Sequence, residues 1–164
     1  MSRPVYLLLL SSLLRLISVR SDGNGFIATH VFTAKANRAQ GVLRSNPSAF
    51  LSRKVILGEG KAEYGLLFGL VDLWNKQRLS DGEARAAGLG IAVADGGGGS
   101  NATRRARLLI EAGYDAVVLM DNDDSTVDSE VTKAAREGVT TRRWDTGHDT
   151  ERALVSTLTC ALAT

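Results

Sequence analysis

The chain predicts an α/β fold: a parallel sheet of about four strands with helices on both faces. Short, uninterrupted apolar runs alternate with segments of helical length, and such runs suit strands buried on both sides. Glycines stand just past two of the helical segments, where helices commonly end. The 164 residues, 44% hydrophobic and 23% charged with two prolines, suffice for one domain with a core. They do not describe a disordered or collagen-like chain.

The elements follow in order from about residue 54. Residues 54–58 (KVILG) are a short β-branched run, and 63–74 (EYGLLFGLVDLW) carry leucines at helical spacing. A second strand is expected at 89–94 (LGIAVA). After a run of glycines, 101–112 (NATRRARLLIEA) read as an amphipathic helix closed by Gly113. The third strand is 115–120 (DAVVLM), the third helix 126–137 before Gly138, the fourth strand 139–144, and the last helix 150–162. No repeat of fixed period interrupts this pattern.

The first fifty residues follow no such alternation. The run PVYLLLLSSLL at 4–14 is interrupted by Arg15, is followed by no A-x-A-like cleavage site, and falls short of the roughly 20 residues that span a bilayer. The expectation is a helix whose leucine-rich face packs on a neighbour, with no membrane involved. SDGNG at 21–25 reads as a loop, and Pro47 discourages a helix continuing through Asn46. Two regions are therefore expected: a basic N-terminal segment, 1–50, and an α/β domain, 51–164. One cysteine, Cys160, makes no internal disulfide and suits a reducing cytoplasm.

Charge divides along a similar line. Residues 1–54 carry eight Lys or Arg against one acid, Asp22, whereas the remainder carries twelve against seventeen. A basic arm suits an anionic partner and an acidic body suits cations, although charge of either sign also simply solvates a surface.

In open α/β sheets ligands lie beyond the carboxyl ends of the strands. Those positions hold Glu59-Gly60, then Asp95 with Gly96 to Gly99, then Asp121-Asn122-Asp123-Asp124. In a parallel sheet these carboxylates converge on one edge, where mutual repulsion raises their pKa values unless a cation intervenes. Residues 121–130 contain five acids and no base. Oxygen ligands without His or Cys point to Mg²⁺ or Mn²⁺ and away from zinc. Acids also cap helices and fill loops in ordinary α/β domains, so the pattern leaves a purely structural reading open.

Competing motifs fail on spacing. Asp121, Asp123 and Ser125 resemble the start of an EF-hand loop, but Thr126 and Thr132 occupy the positions of its glycine and its bidentate glutamate. DNDDS also resembles the aspartate motif of haloacid-dehalogenase-like phosphatases, yet about forty residues follow it where a whole core would be needed. Gly58-x-Gly60-x-x-Glu63 lacks the last glycine of a dinucleotide fingerprint, and no G-x-x-x-x-G-K-[ST] occurs.

Three segments, KVILGEGKAE (54–63), ADGGGGSNATRRA (94–106) and GYDAVVLMDNDD (113–124), resemble the Toprim domain of OLD-family (overcoming lysogenization defect) ATP-dependent endonucleases. The likeness spans about residues 50–155. It implies a Toprim-like, Rossmann-like sheet and a DNA endonuclease or nickase that hydrolyses phosphodiester bonds with Mg²⁺ or Mn²⁺. Glu59 matches the family's first glutamate, Asp121 and Asp123 its D-x-D, Glu63 the second glutamate of E-G-x-x-E, and Asp95 the acid after the second strand. The catalytic set so implied is Glu59, Asp121 and Asp123, with Glu63 and Asp95 as further metal ligands. Glu151, opening the last helix, is an outer-ligand candidate, although an acid there is favourable in any helix.

For DNA binding the candidates are Gly97 and Gly98, which let backbone approach a phosphate, and Arg104, Arg105 and Arg107 on the following helix. A flexible loop and a solvated helix face explain the same residues equally well. Relatives carry an ABC-type ATPase ahead of the Toprim domain, so residues 1–50 read as a remnant of one. The expected partners are DNA, an ATPase domain or subunit in trans, and a second copy in a homodimer. The alternative is a non-catalytic nucleic-acid-binding module, or a decayed nuclease fragment that keeps the fold.

Overall fold

A computed structural model describes residues 6–8, 16–21, 27–32 and 46–162. Strands β1 (Tyr6–Leu8), β2 (Leu16–Ser21) and β3 (Ile27–Phe32) form an antiparallel sheet in that order. This corrects the leucine-rich helix expected over the first twenty residues, whose remaining positions lie outside the described ones. The reason is visible in the pairing: Ile17 faces Val31 and Val19 faces Thr29. β-branched residues fit a pleated strand better than a helix, and short apolar runs do not declare their period.

The second sheet is parallel throughout. Its strands are β4 (Lys54–Gly58), β5 (Ile91–Asp95), β6 (Asp115–Met120) and β7 (Thr140–Arg143), in the order β5-β4-β6-β7. Four helices accompany it: α1 (Lys61–Ser80), α2 (Ser100–Glu111), α3 (Asp128–Arg136) and α4 (Thr150–Leu162). The expected α/β class and strand number are those observed. Helix α1 runs six residues past its expected end through the helix-favouring Lys76, Gln77, Arg78 and Leu79, and stops before Gly82 at φ +73°. Strand β5 starts two residues late because Ala86–Leu89 take up a single 3-10 turn ended by Gly90. Asp124 caps another such turn, Ser125–Val127, which delays α3.

Helix α1 touches β4, β5 and α4, whereas α2 touches β4, β6 and α3, and α3 reaches β7. The helices thus form two layers, and among the described residues the buried apolar cluster lies on the α2 side. Val55 and Leu57 of β4 and Val118 and Met120 of β6 are buried with Ala102, Ala106 and Leu109 of α2. The spacing of those α2 residues is that of one helix face. The only buried residue of α1 is Glu63, and its Phe68, Leu70 and Leu73 are exposed. Its Tyr64, Leu66, Leu67 and Val71 are half-buried, so the one fully buried side chain of this helix is a carboxylate. Among the described residues no helix is long and apolar enough to cross a membrane.

Candidate metal centre

Strand order decides which acids meet. From β4 the chain leaves through α1 toward β5, and from β6 it leaves through α3 toward β7 on the opposite side. The ends of the neighbouring strands β4 and β6 therefore flank the point where the connections diverge, which in such sheets opens a crevice. Gly58 pairs with Leu119, and the Glu59 N–H extends the ladder to the Leu119 carbonyl at 2.8 Å. Glu59 and Asp121 follow directly, side by side. The Asp121 N–H donates to Glu59 Oε2 at 3.1 Å.

Glycine at position 58 permits the approach of α1. A Cβ there would lie 2.4 Å from the Tyr64 nitrogen and 2.7 Å from the Glu63 carbonyl carbon, both backbone atoms that cannot step aside. The Gly58→Ala variant should lose about 1–3 kcal/mol, the usual cost of overpacking. Chemical denaturation would show this as a lower midpoint with an unchanged slope.

That close approach delivers Glu63, 3% exposed, to the crevice. Its Oε2 accepts the Gly60 N–H at 2.6 Å, and its Oε1 accepts the Thr150 hydroxyl at 2.7 Å. The Thr150 N–H donates to Asp121 Oδ1 at 2.9 Å, and the hydroxyl oxygen also lies 2.9 Å from that atom. Arg143 at the end of β7 donates to the Asp121 carbonyl at 3.1 Å and pairs with Asp128.

Burial is the largest influence on the Glu59 carboxyl and raises its pKa, with repulsion from Asp121, Glu63 and Asp123 adding to it and the Asp121 N–H opposing. Asp121 is likewise raised by burial and by the charges of Glu63 and Asp123, against its bonds to Thr150. Asp123 is exposed and contributes its charge from the rim. Asp95 behaves oppositely. Burial pushes its pKa up, but the Lys61 ammonium and the Gly97 N–H outweigh that and hold it below the ordinary range. The strand order places Asp95 on the far side of β4 from Asp121, among cations.

Among the described residues no group of three His, Cys, Asp or Glu is arranged to hold a metal ion. The donor chemistry nonetheless fits a hard divalent cation. Glu59 and Asp121 each spend one oxygen on hydrogen bonds, and the repulsion that raises both carboxyls is what a cation would relieve. Mg²⁺ characteristically keeps several waters and takes one or two carboxylates in place of a complete protein cage. Glu63 is hydrogen-bonded at both oxygens and Asp95 is paired to Lys61, whereas Glu59 and Asp121 each keep one oxygen without a hydrogen bond among the described residues.

The remaining candidates are spread out. Glu151 is exposed in the first turn of α4. Gly97 and Gly98 adopt φ of +85° and +84°, which glycine tolerates. Their N–H groups point inward, to Asp95 Oδ1 at 2.9 Å and to the Glu59 carbonyl at 2.7 Å. Arg104 is exposed and bonds Asn101. Arg105 folds beneath Gly97 and donates to the Asp95 carbonyl at 2.7 Å. Arg107 pairs with Glu137 of the loop after α3 and, at 3.9 Å, with Glu130. Thr150, Arg143 and Lys61 escaped the sequence reading. A threonine opening a helix looks like an end residue, and no sequence signal pairs positions 29 or 87 apart.

A cavity of about 420 Å³ between α1 and β5, lined by Tyr64, Phe68, Val71 and Ile91 among others, contains none of these carboxylates. Residues 50–123 match the family model described as the TOPRIM domain of overcoming lysogenization defect protein-like proteins. No curated protein and no solved structure matches the chain. The matched stretch runs from just before β4 to Asp123, so Arg143, Thr150 and Glu151 lie beyond it.

Proposed function

Residues 50–123 form an OLD-like Toprim domain, and from that premise we propose that this domain hydrolyses DNA phosphodiester bonds with Mg²⁺ or Mn²⁺ held by Glu59, Asp121 and Asp123. Such domains have nuclease-type or nucleic-acid-related roles. The observation that carries the finer reading is the juxtaposition of Glu59 and Asp121, two carboxyls both raised by burial and mutual repulsion, at the diverging strand ends.

A bound divalent ion supplies charge for the transferring phosphate and lowers the pKa of its water. The chain's own residues do the rest. Glu59, Asp121 and Asp123 offer oxygens. The Asp121 N–H fixes the orientation of Glu59, and Thr150 fixes that of Asp121. Arg104, exposed on α2 and bonded only to the neutral Asn101 among the described residues, offers a charge for phosphate from outside. Conversion of supercoiled plasmid to relaxed circle in Mn²⁺, without ATP and abolished by EDTA, tests this reading. Metal binding without cleavage would favour the decayed-nuclease alternative, and recovery on adding an ATPase subunit would show that a partner in trans supplies DNA engagement.

The same surface makes DNA binding salt-dependent. Each neutralised phosphate adds about −0.9 to the log-log slope on duplex DNA. Arg104→Ala should flatten the slope by roughly one contact. Arg107→Ala should leave it nearly unchanged, because its guanidinium is already engaged by Glu137 and Glu130. Fluorescence anisotropy across a salt series separates the two.

A further inference from the structure

We infer that Thr150 is a positioning residue of the carboxylate site, holding Asp121 and Glu63 in register through a bond network anchored at Trp144. The inference rests on the reading above that Glu59, Asp121 and Asp123 take a divalent cation.

Thr150 is 2% exposed, and its hydroxyl lies within hydrogen-bond distance of three groups. Glu63 Oε1 is at 2.7 Å, Asp121 Oδ1 at 2.9 Å, and the Trp144 indole N–H donates to it at 2.8 Å. A hydroxyl carries one proton and two lone pairs. It therefore accepts from Trp144 and donates to one carboxylate at a time. The Thr150 backbone N–H already serves Asp121 Oδ1 at 2.9 Å, which frees the hydroxyl proton for Glu63. In that assignment every donor has an acceptor, and one residue secures an acid from α1 and an acid from the end of β6.

Helix capping does not account for this arrangement. The cap of α4 is Asp149, whose Oδ1 accepts the Arg152 N–H at 2.7 Å. Nor does the Thr150 hydroxyl turn back on its own helix, as serines and threonines in helices often do. The anchor is firm as well: Asn122, next to Asp121, donates to the Trp144 carbonyl at 2.8 Å and exchanges backbone bonds with Gly147 and His148. The segment from Trp144 to Thr150 is thereby stitched to the acidic loop. Groups that orient metal-binding residues typically matter about 10- to 100-fold in affinity or activity.

The test uses the full chain, with Mn²⁺ binding read by calorimetry and Mg²⁺ titration read by the indole N–H resonance of Trp144. In wild type, Mg²⁺ should shift the Trp144 signal while leaving that of Trp74, on α1, in place. Thr150→Val should weaken Mn²⁺ by roughly 10- to 100-fold and uncouple the Trp144 signal from Mg²⁺, and Thr150→Ser should restore both. If the valine variant fails to fold by circular dichroism, Trp144→Phe takes its place, and the wild-type titration needs no variant. A folded Thr150→Val with wild-type Mn²⁺ affinity, or a Trp144 resonance indifferent to Mg²⁺ in a wild type that binds metal, overturns the inference alone. A wild type that binds neither ion overturns the metal reading and the inference together.

Discussion

Replacing Glu59 with glutamine is expected to lower Mn²⁺-dependent nicking by more than about 100-fold, beyond the 10- to 100-fold usual for groups that only orient ligands. The substitution keeps the size of the side chain and an oxygen to accept the Asp121 N–H, so the fold is retained. In metal-free buffer the variant should be no less stable than wild type. The reason is the direction of the Glu59 shift: burial and the charges of Asp121, Glu63 and Asp123 make its ionised form unfavourable in the folded state, and a neutral amide relieves that. Loss of nicking together with an unchanged or raised melting temperature assigns Glu59 to chemistry. Equal loss of both assigns it to folding. Asp121→Asn should lose nicking comparably, whereas Glu83→Gln, which gives up only a surface pair with Arg78, should not.

The second large effect is stabilisation by metal. A ligand that binds only the folded state at a hundred times its Kd adds about 2.7 kcal/mol. For a chain of this size that corresponds to roughly 5–10 °C in Tm. Asp121→Asn should remove most of the shift.

The pH dependence has a definite sign. Glu59 and Asp121 have folded pKa values raised above the ordinary 4.5 and 3.8. The folded state therefore binds their protons more tightly, and their contribution to stability is fully present below the ordinary values and lost as pH rises through the raised ones. Asp95 is shifted the other way: its contribution is present above 3.8 and lost as pH falls through its lowered value. In the window just above the ordinary carboxylate range, acidification should thus stabilise the metal-free protein while shrinking the metal-induced shift, because protons and metal compete for the same oxygens. Melting temperatures between neutral and mildly acidic pH, with and without Mn²⁺, would show the two curves converging. Parallel curves would place the metal elsewhere.

What the sequence determined by itself was local. Strands β4 and β6 and helix α4 have the bounds expected of them, because β-branched runs, helical spacing and glycine punctuation act within a few residues. The acids at the ends of β4, β5 and β6 were legible for the same reason, since parallel strands must bring their carboxyl ends to one edge. Which of these acids lie together was not legible from spacing, and only the family resemblance set Glu59 with Asp121. The order β5-β4-β6-β7 seats Asp121 beside Glu59 and sends Asp95 to Lys61, and strand order is set by pairing between distant segments that leaves no periodic trace. Nothing near Arg107 announces its bond to Glu137, thirty residues on. Helix against strand near the N-terminus was equally open, because runs such as LISVRS satisfy either period until a partner strand supplies its hydrogen bonds. Thr150 is the clearest case: as a residue it is one more threonine at a helix start, and only the packing of α4 against α1 turns its hydroxyl into the joint between Glu63 and Asp121.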